Sequence, residues 1–256
     1  PELLKVLKDL EEARSQKRVM EVGKALSSLN IEAETLFVQE RLIKATAISG
    51  LLPLSSSLMD GLLKKGCVPS DIAYTALCKS LRQARRLTQL NELLHRLGET
   101  AKTTQINTIA FNTYLAALCD TVTKQDPQRR RNLKMEDIGQ LEKARSYLTP
   151  GKAFKCFRVT PDESSYATVL HAAASVGNRG MVNDLWNEMR QEDIIPNRYA
   201  YNALMKAICA EGPDYDDEAI DLLEQMRKNP FLQPDRYTID LALLPIVRVQ
   251  GVERVK

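Results

Sequence analysis

The chain has 256 residues, of which 44% are apolar and 27% charged, and its formal net charge is +3. This mixture excludes an intrinsically disordered polymer, and so slight a positive charge identifies neither a nucleic-acid nor a membrane partner on its own. Aromatic residues make up 5%, which argues against a β-sandwich or barrel. No run approaches the roughly 18 uninterrupted apolar residues of a membrane span.

In chain order, the sequence divides into units of about 35 residues. Units 1–35 and 36–70 have helical apolar spacing in each half, and the frame lands on Pro69. Unit 71–107 opens on Ile72-Ala73-Tyr74-Thr75 and carries Arg82, Arg85 and Arg86 late in its first helix and the turn that follows. Unit 108–162 opens on Thr108-Ile109-Ala110-Phe111-Asn112. It exceeds the frame by about 20 residues, and such per-repeat insertions map to loops. The extra material runs through Gln125-Asp126-Pro127-Gln128-Arg129-Arg130-Arg131-Asn132-Leu133-Lys134 and is expected at the turn between the two helices.

The next two units show the period most clearly. In 163–197, Tyr166, Val169, Leu170 and Ala173 follow the i, i+3, i+4, i+7 spacing of an amphipathic helix. Gly177-Asn178-Arg179-Gly180 breaks it, and Val182, Leu185, Trp186 and Met189 resume it. Pro196 cannot continue a helix and ends the unit. Unit 198–235 repeats the arrangement and ends at Pro234-Asp235, and 236–256 is a partial unit. Pro161 and Pro196 stand 35 residues apart, as do Tyr166 and Tyr201. Asp162 and Asn197 precede first helices, where they can cap the N-terminus.

One helix pair cannot bury both of its apolar faces, whereas stacked pairs bury them against neighbours. The expected fold is therefore all-α, a superhelical solenoid of helix-turn-helix repeats with a concave groove. An irregular bundle would not require prolines and aromatics in a fixed frame.

Little points to catalysis. His95 and His171 have no carboxylate or cysteine at ligand spacing. Cys67, Cys78, Cys119, Cys156 and Cys209 form no C-x-x-C pair, so neither a metal site nor a disulfide framework is expected. The acidic run Asp214, Asp216, Asp217 and Glu218 precedes a helix, where acids suit the dipole. No enzyme activity, metal or cofactor is expected.

Tyr201-Asn202-Ala203-Leu204, Gly212, Ala219, Leu222-Leu223, Met226 and Pro234-Asp235 resemble the pentatricopeptide repeat family. So do Tyr166 through Pro196-Asn197 and, in their first helices, Phe111-Asn112-Thr113 and Tyr74-Thr75-Ala76-Leu77. The tetratricopeptide family would place Trp and Leu-Gly in the first helix, and none of these helices has them. The resemblance implies a right-handed superhelix that binds single-stranded RNA, one base per repeat, in an organelle (mitochondrion or chloroplast). Carried over, it pairs the base-reading residues as Thr75 with Asn107, Asn112 with Asp162, Ala167 with Asn197, and Asn202 with Asp235. Asn with Asp favours uridine and Thr with Asn adenine, while Ala167 departs from the pattern. Ile72, Ile109, Ser164, Tyr199 and Tyr237 fall where the family wedges bases. Arg129, Arg130, Arg131 and Lys134 either meet a phosphate backbone or form a solvated loop. The alternative to base reading is a structural subunit of a large ribonucleoprotein such as an organellar ribosome. A solenoid arm of a larger enzyme is a third reading.

Overall fold

The computed structural model describes Val19, Glu21, Lys24 and residues 35–101, 105–123, 135–149 and 151–250. The rest of 1–34 and the Arg129–Lys134 stretch lie outside the described residues. Among the described residues the secondary structure is helical throughout. The helices are α1 (Leu36–Ile48), α2 (Leu52–Lys64), α3 (Asp71–Gln83), α4 (Leu87–Thr100), α5 (Thr108–Thr123), α6 (Met135–Ser146), α7 (Lys152–Phe157), α8 (Glu163–Ser175), α9 (Arg179–Gln191), α10 (Arg198–Glu211), α11 (Asp216–Lys228) and α12 (Arg236–Gln250).

The chain forms two compact bodies. The first comprises Pro1–Ala117 with Ala153–Thr160, the second Leu118–Lys152 with Pro161–Lys256. In the first, α1 packs on α2 and α3, and α3 on α4. In the second, α8 packs on α9 and α10, α10 on α11 and α12, and α11 on α12. The cores follow the helical period. On α4, Leu90, Leu93, Leu94 and Leu97 are buried, each contributing about 1.5–3 kcal/mol of apolar burial. Tyr74, Phe111 and Tyr166 are buried too, as packing residues of their first helices.

One turn recurs within and between helix pairs. A residue with positive φ ends the helix, and the next amide reaches back to a carbonyl of the last turn. At Gly177 (φ 72°) the Asn178 amide donates to the Ala173 carbonyl at 3.0 Å. Arg85 (φ 56°) and Asp193 (φ 54°) do the same without glycine, at a cost of about 1–2 kcal/mol each.

The extra length of 108–162 divides in two. Residues between α5 and α6 account for part of it, but α7 follows α6, so the insertion is not confined to the turn between the paired helices. Residues 153–157 of α7 belong to the first body, where Phe157 stacks near His95, with centroids 4.6 Å apart, and edge-on to Tyr114 at 5.7 Å. Gly98 makes this docking possible. A Cβ there would stand 3.0 Å from the Phe157 Cα and 3.1 Å from the Cys156 carbonyl oxygen.

Pro245 lies inside α12 and has no amide to offer the Leu241 carbonyl one turn back. The Cys209 thiol lies 3.5 Å from that oxygen and donates to it. Burial, with Asp216 nearby, pushes this thiol up to about 11, so it keeps the proton that the contact requires.

Candidate nucleic-acid interface

Each first helix exposes its second residue. Ile72 is 66% exposed, Ile109 51%, Tyr199 66% and Tyr237 43%, and Ser164 at the matching place on α8 is exposed as well. The fifth residue lies one turn further along the same stripe. It is half-buried at Thr75 and Asn112 and buried at Ala167 and Asn202. An exposed apolar or aromatic side chain beside a recessed polar one repeats on α3, α5 and α10. Ala167 has no polar atom in its side chain, so α8 lacks that element.

The residues before α8 and α10 cap them, whereas Thr35 before α1 and Ser70 before α3 make no side-chain cap bond. Asp162 forms a reciprocal capping box with Ser165, whose amide donates to Asp162 Oδ1 at 2.9 Å. Asn197 Oδ1 accepts from the Ala200 amide at 3.0 Å. Such caps stabilise a helix by about 1 kcal/mol.

In the second body the structure brings Asn202 and Asp235 together. Thr238, fully buried, donates its hydroxyl to Asn202 Oδ1 at 2.7 Å and lies 2.9 Å from Asp235 Oδ1. One hydroxyl proton serves one oxygen at a time, so it alternates between the two. Asp235 Oδ1 also accepts from the Thr238 amide at 2.9 Å. That amide bond, the Thr238 hydroxyl, the Arg198 guanidinium and a hydrogen bond from Asn202 together hold the Asp235 carboxyl below its ordinary value. Arg198 Nε stands 3.3 Å from Asp235 Oδ2 without the alignment of a hydrogen bond. An amide has two donors and two acceptor lone pairs. One of each is engaged internally at Asn202, which is only 4% exposed.

The first body arranges its pair differently. Asn107 does not bond to Thr75. Its Nδ2 donates to Asp71 Oδ2 at 2.9 Å, its backbone amide donates to the Tyr74 hydroxyl at 2.9 Å, and its Oδ1 accepts from the Ile109 amide at 2.7 Å. The Tyr74 hydroxyl donates to Asp71 Oδ1 at 2.5 Å. Burial and this carboxylate raise the Tyr74 phenol well above its ordinary range. Asn112 lies in the first body and Asp162 in the second.

Residues 158–211 match the family model described as a pentatricopeptide repeat domain. Over this stretch the chain is similar to the pentatricopeptide repeat family. A chloroplastic pentatricopeptide repeat-containing protein of Arabidopsis thaliana is 33% identical over 75 residues, which are 29% of this chain and 9% of that relative. The match thus spans less than a tenth of the curated relative's length. Solved structures of the pentatricopeptide repeat protein PPR10 are also similar. The one in complex with an 18-nt psaJ RNA element has a TM-score of 0.43 at 15% identity, covering 97% of this chain and 38% of that one. Maize PPR10 has a TM-score of 0.34 at 17% identity, covering 96% and 46%.

A further position in the first body escaped the sequence reading. Phe37, 66% exposed, is the second residue of α1, in the place of Ile72 on α3. The fifth residue is Glu40, and its carboxylate accepts from the Ser70 amide at 2.6 Å. Ser70 precedes α3 just as Asp235 precedes α12. Counting back 35 residues from Ile72 and Thr75 would have found Phe37 and Glu40. Among the described residues, no three or more His, Cys, Asp or Glu gather as a metal site would, and no helix is long and apolar enough to cross a membrane.

Proposed function

We propose that this protein binds single-stranded RNA along the exposed stripe of its first helices, one base per repeat, and acts in organellar RNA metabolism. Asn202, Thr238 and Asp235 carry the reading. A reading residue and the residue closing its repeat are hydrogen-bonded into one unit, with Tyr199 and Tyr237 exposed on either side. A base between such rings gains about 1–3 kcal/mol by stacking, and the fixed amide and carboxylate present hydrogen-bonding groups to its edge. Residence in an organelle draws support from the chloroplastic designation of the Arabidopsis relative. RNA as the ligand draws support from the pentatricopeptide repeat domain matched over residues 158–211.

Selection from a random single-stranded RNA pool at about physiological salt tests this. The expected motif has two uridines two steps apart, preceded by adenine, set by Asn112, Asn202 and Thr75. Asn202→Ala should weaken binding to the selected RNA by about 0.5–1.5 kcal/mol, one hydrogen bond's worth, and relax the final uridine. Salt-sensitive binding with no motif would instead favour a structural subunit of a larger ribonucleoprotein.

A further inference from the structure

Of the serines and threonines in the chain, Thr88 alone has arginine both three and two residues before it, at Arg85 and Arg86. The three side chains are exposed, and none has a hydrogen-bond or ion-pair partner among the described residues. Both arginines stand on the joint between α3 and α4. Arg85 has a positive φ of 56°, and the Arg86 amide donates to the Leu81 carbonyl at 2.9 Å. The backbone of the joint is thereby fixed, while both guanidinium groups are left to solvent.

Thr88 is the second residue of α4. The amides of a first turn have no partner within the helix, so this part opens more readily than the middle. Leu87 is half-buried, and Leu90 is the first buried residue of α4. Arg85–Thr88 can therefore extend into another protein's cleft while Leu90, Leu93, Leu94 and Leu97 stay in the core. The start of α4 also has neither a side-chain cap nor an acid in its first turn. The nearest acid on the helix is Glu92, one turn beyond Thr88. The positive end of the helix dipole thus has arginines beside it and no anion to meet it.

We propose that Thr88 is a phosphorylation site for a protein kinase that recognises arginines before its target hydroxyl, and that the phosphate stabilises the start of α4. Acidic side chains of the kinase pair with Arg85 and Arg86, whose planar guanidinium groups suit carboxylates. The γ-phosphoryl group of ATP passes to Thr88 Oγ1 as its bond to the β,γ-bridging oxygen breaks. ADP leaves with that electron pair, and the hydroxyl proton passes to a base of the kinase. The new phosphate lies on the first turn of α4, with its free amides and two arginines beside it, where it gains charge-assisted hydrogen bonds. This site is independent of RNA binding.

The test incubates the whole chain with ATP, Mg²⁺ and the purified catalytic subunit of a cyclic-AMP-dependent protein kinase. The intact mass should rise by one phosphoryl group, and fragmentation should place that group on Thr88. Thr88→Ser should still be modified, and Thr88→Val should not. Arg85→Gln and Arg86→Gln, changes at exposed side chains that leave the fold intact, should each slow the transfer by about tenfold, one charged hydrogen bond's worth. The modified chain should melt about 1–4 °C higher than the unmodified one. The proposal is overturned by a folded wild-type chain that takes up no phosphoryl group, by uptake that persists in Thr88→Val, or by a rate indifferent to both arginines. A modified chain that melts no higher than the unmodified one overturns it too, because the phosphate would then be a surface group that α4 does not use.

Discussion

The joint before α12 and the joint before α5 occupy matching places in their repeats but are held differently. In the second body, Pro234-Asp235 leads into α12, and Asp235, Thr238 and Asn202 close on one another. In the first body the unit ending at Asn107 has no proline before it. Asn107 is held by Asp71 and Tyr74, 36 and 33 residues away, and the preceding Ile106 amide donates to the Arg158 carbonyl at 2.9 Å. Arg158 follows α7, which rests on Gly98. Where the local turn chemistry is missing, support is brought in from an insertion. Asn202 and Asp235 act as one unit, whereas Thr75 and Asn107 are positioned independently.

The largest test of this contrast is Gly98→Val. The added atoms would meet the backbone of Cys156 and Phe157, which cannot rotate aside, at a cost of about 1–3 kcal/mol. Urea unfolding followed by circular dichroism should show a lower midpoint. An unshifted midpoint would mean that α7 does not brace the first body. Next come two matched hydroxyl deletions. Thr238→Val leaves buried polar groups without their partner and should cost about 1–3 kcal/mol. Tyr74→Phe, at a half-exposed joint with two other supports, should cost about 1 kcal/mol. If the tyrosine change proves the more costly, the contrast between the joints is reversed. The smallest effect is in acid. Asp235 has its folded carboxyl below the ordinary 3.8, so its stabilisation is present above about pH 4 and is lost as pH falls through the folded value. Thermal midpoints of the wild type and Asp235→Asn between pH 3 and 6 should converge on the acid side. Parallel curves would show that Asp235 contributes nothing through its charge.

The sequence was most legible where local chemistry and repeat coincide. The prolines, the caps Asp162 and Asn197, and the apolar spacing of 163–235 all reflect constraints within a few residues of one another, and such constraints leave a pattern. The helix α7 left none. It is six residues long, and it is fixed by the absence of a side chain at Gly98, which is visible only when the two segments meet. The fifth residues could be placed in register along their helices from the sequence, but not in depth. Counting from the aromatics located the fifth residues, yet the burial of Asn202 depends on Thr238, 36 residues on. Phe37 and Glu40 were missed because no aromatic precedes Glu40 as Tyr201 precedes Asn202.

The chain has one tryptophan, and its position gives it a use beyond packing. Trp186 on α9 meets Tyr201 edge-on, with ring centroids 5.0 Å apart and planes at 89°, and Tyr201 is the residue next to Asn202. Tryptophan emission from these 256 residues therefore originates beside Asn202, the residue proposed to read a base. If RNA binds there as proposed, a change in that emission follows occupancy of the one repeat without an attached dye.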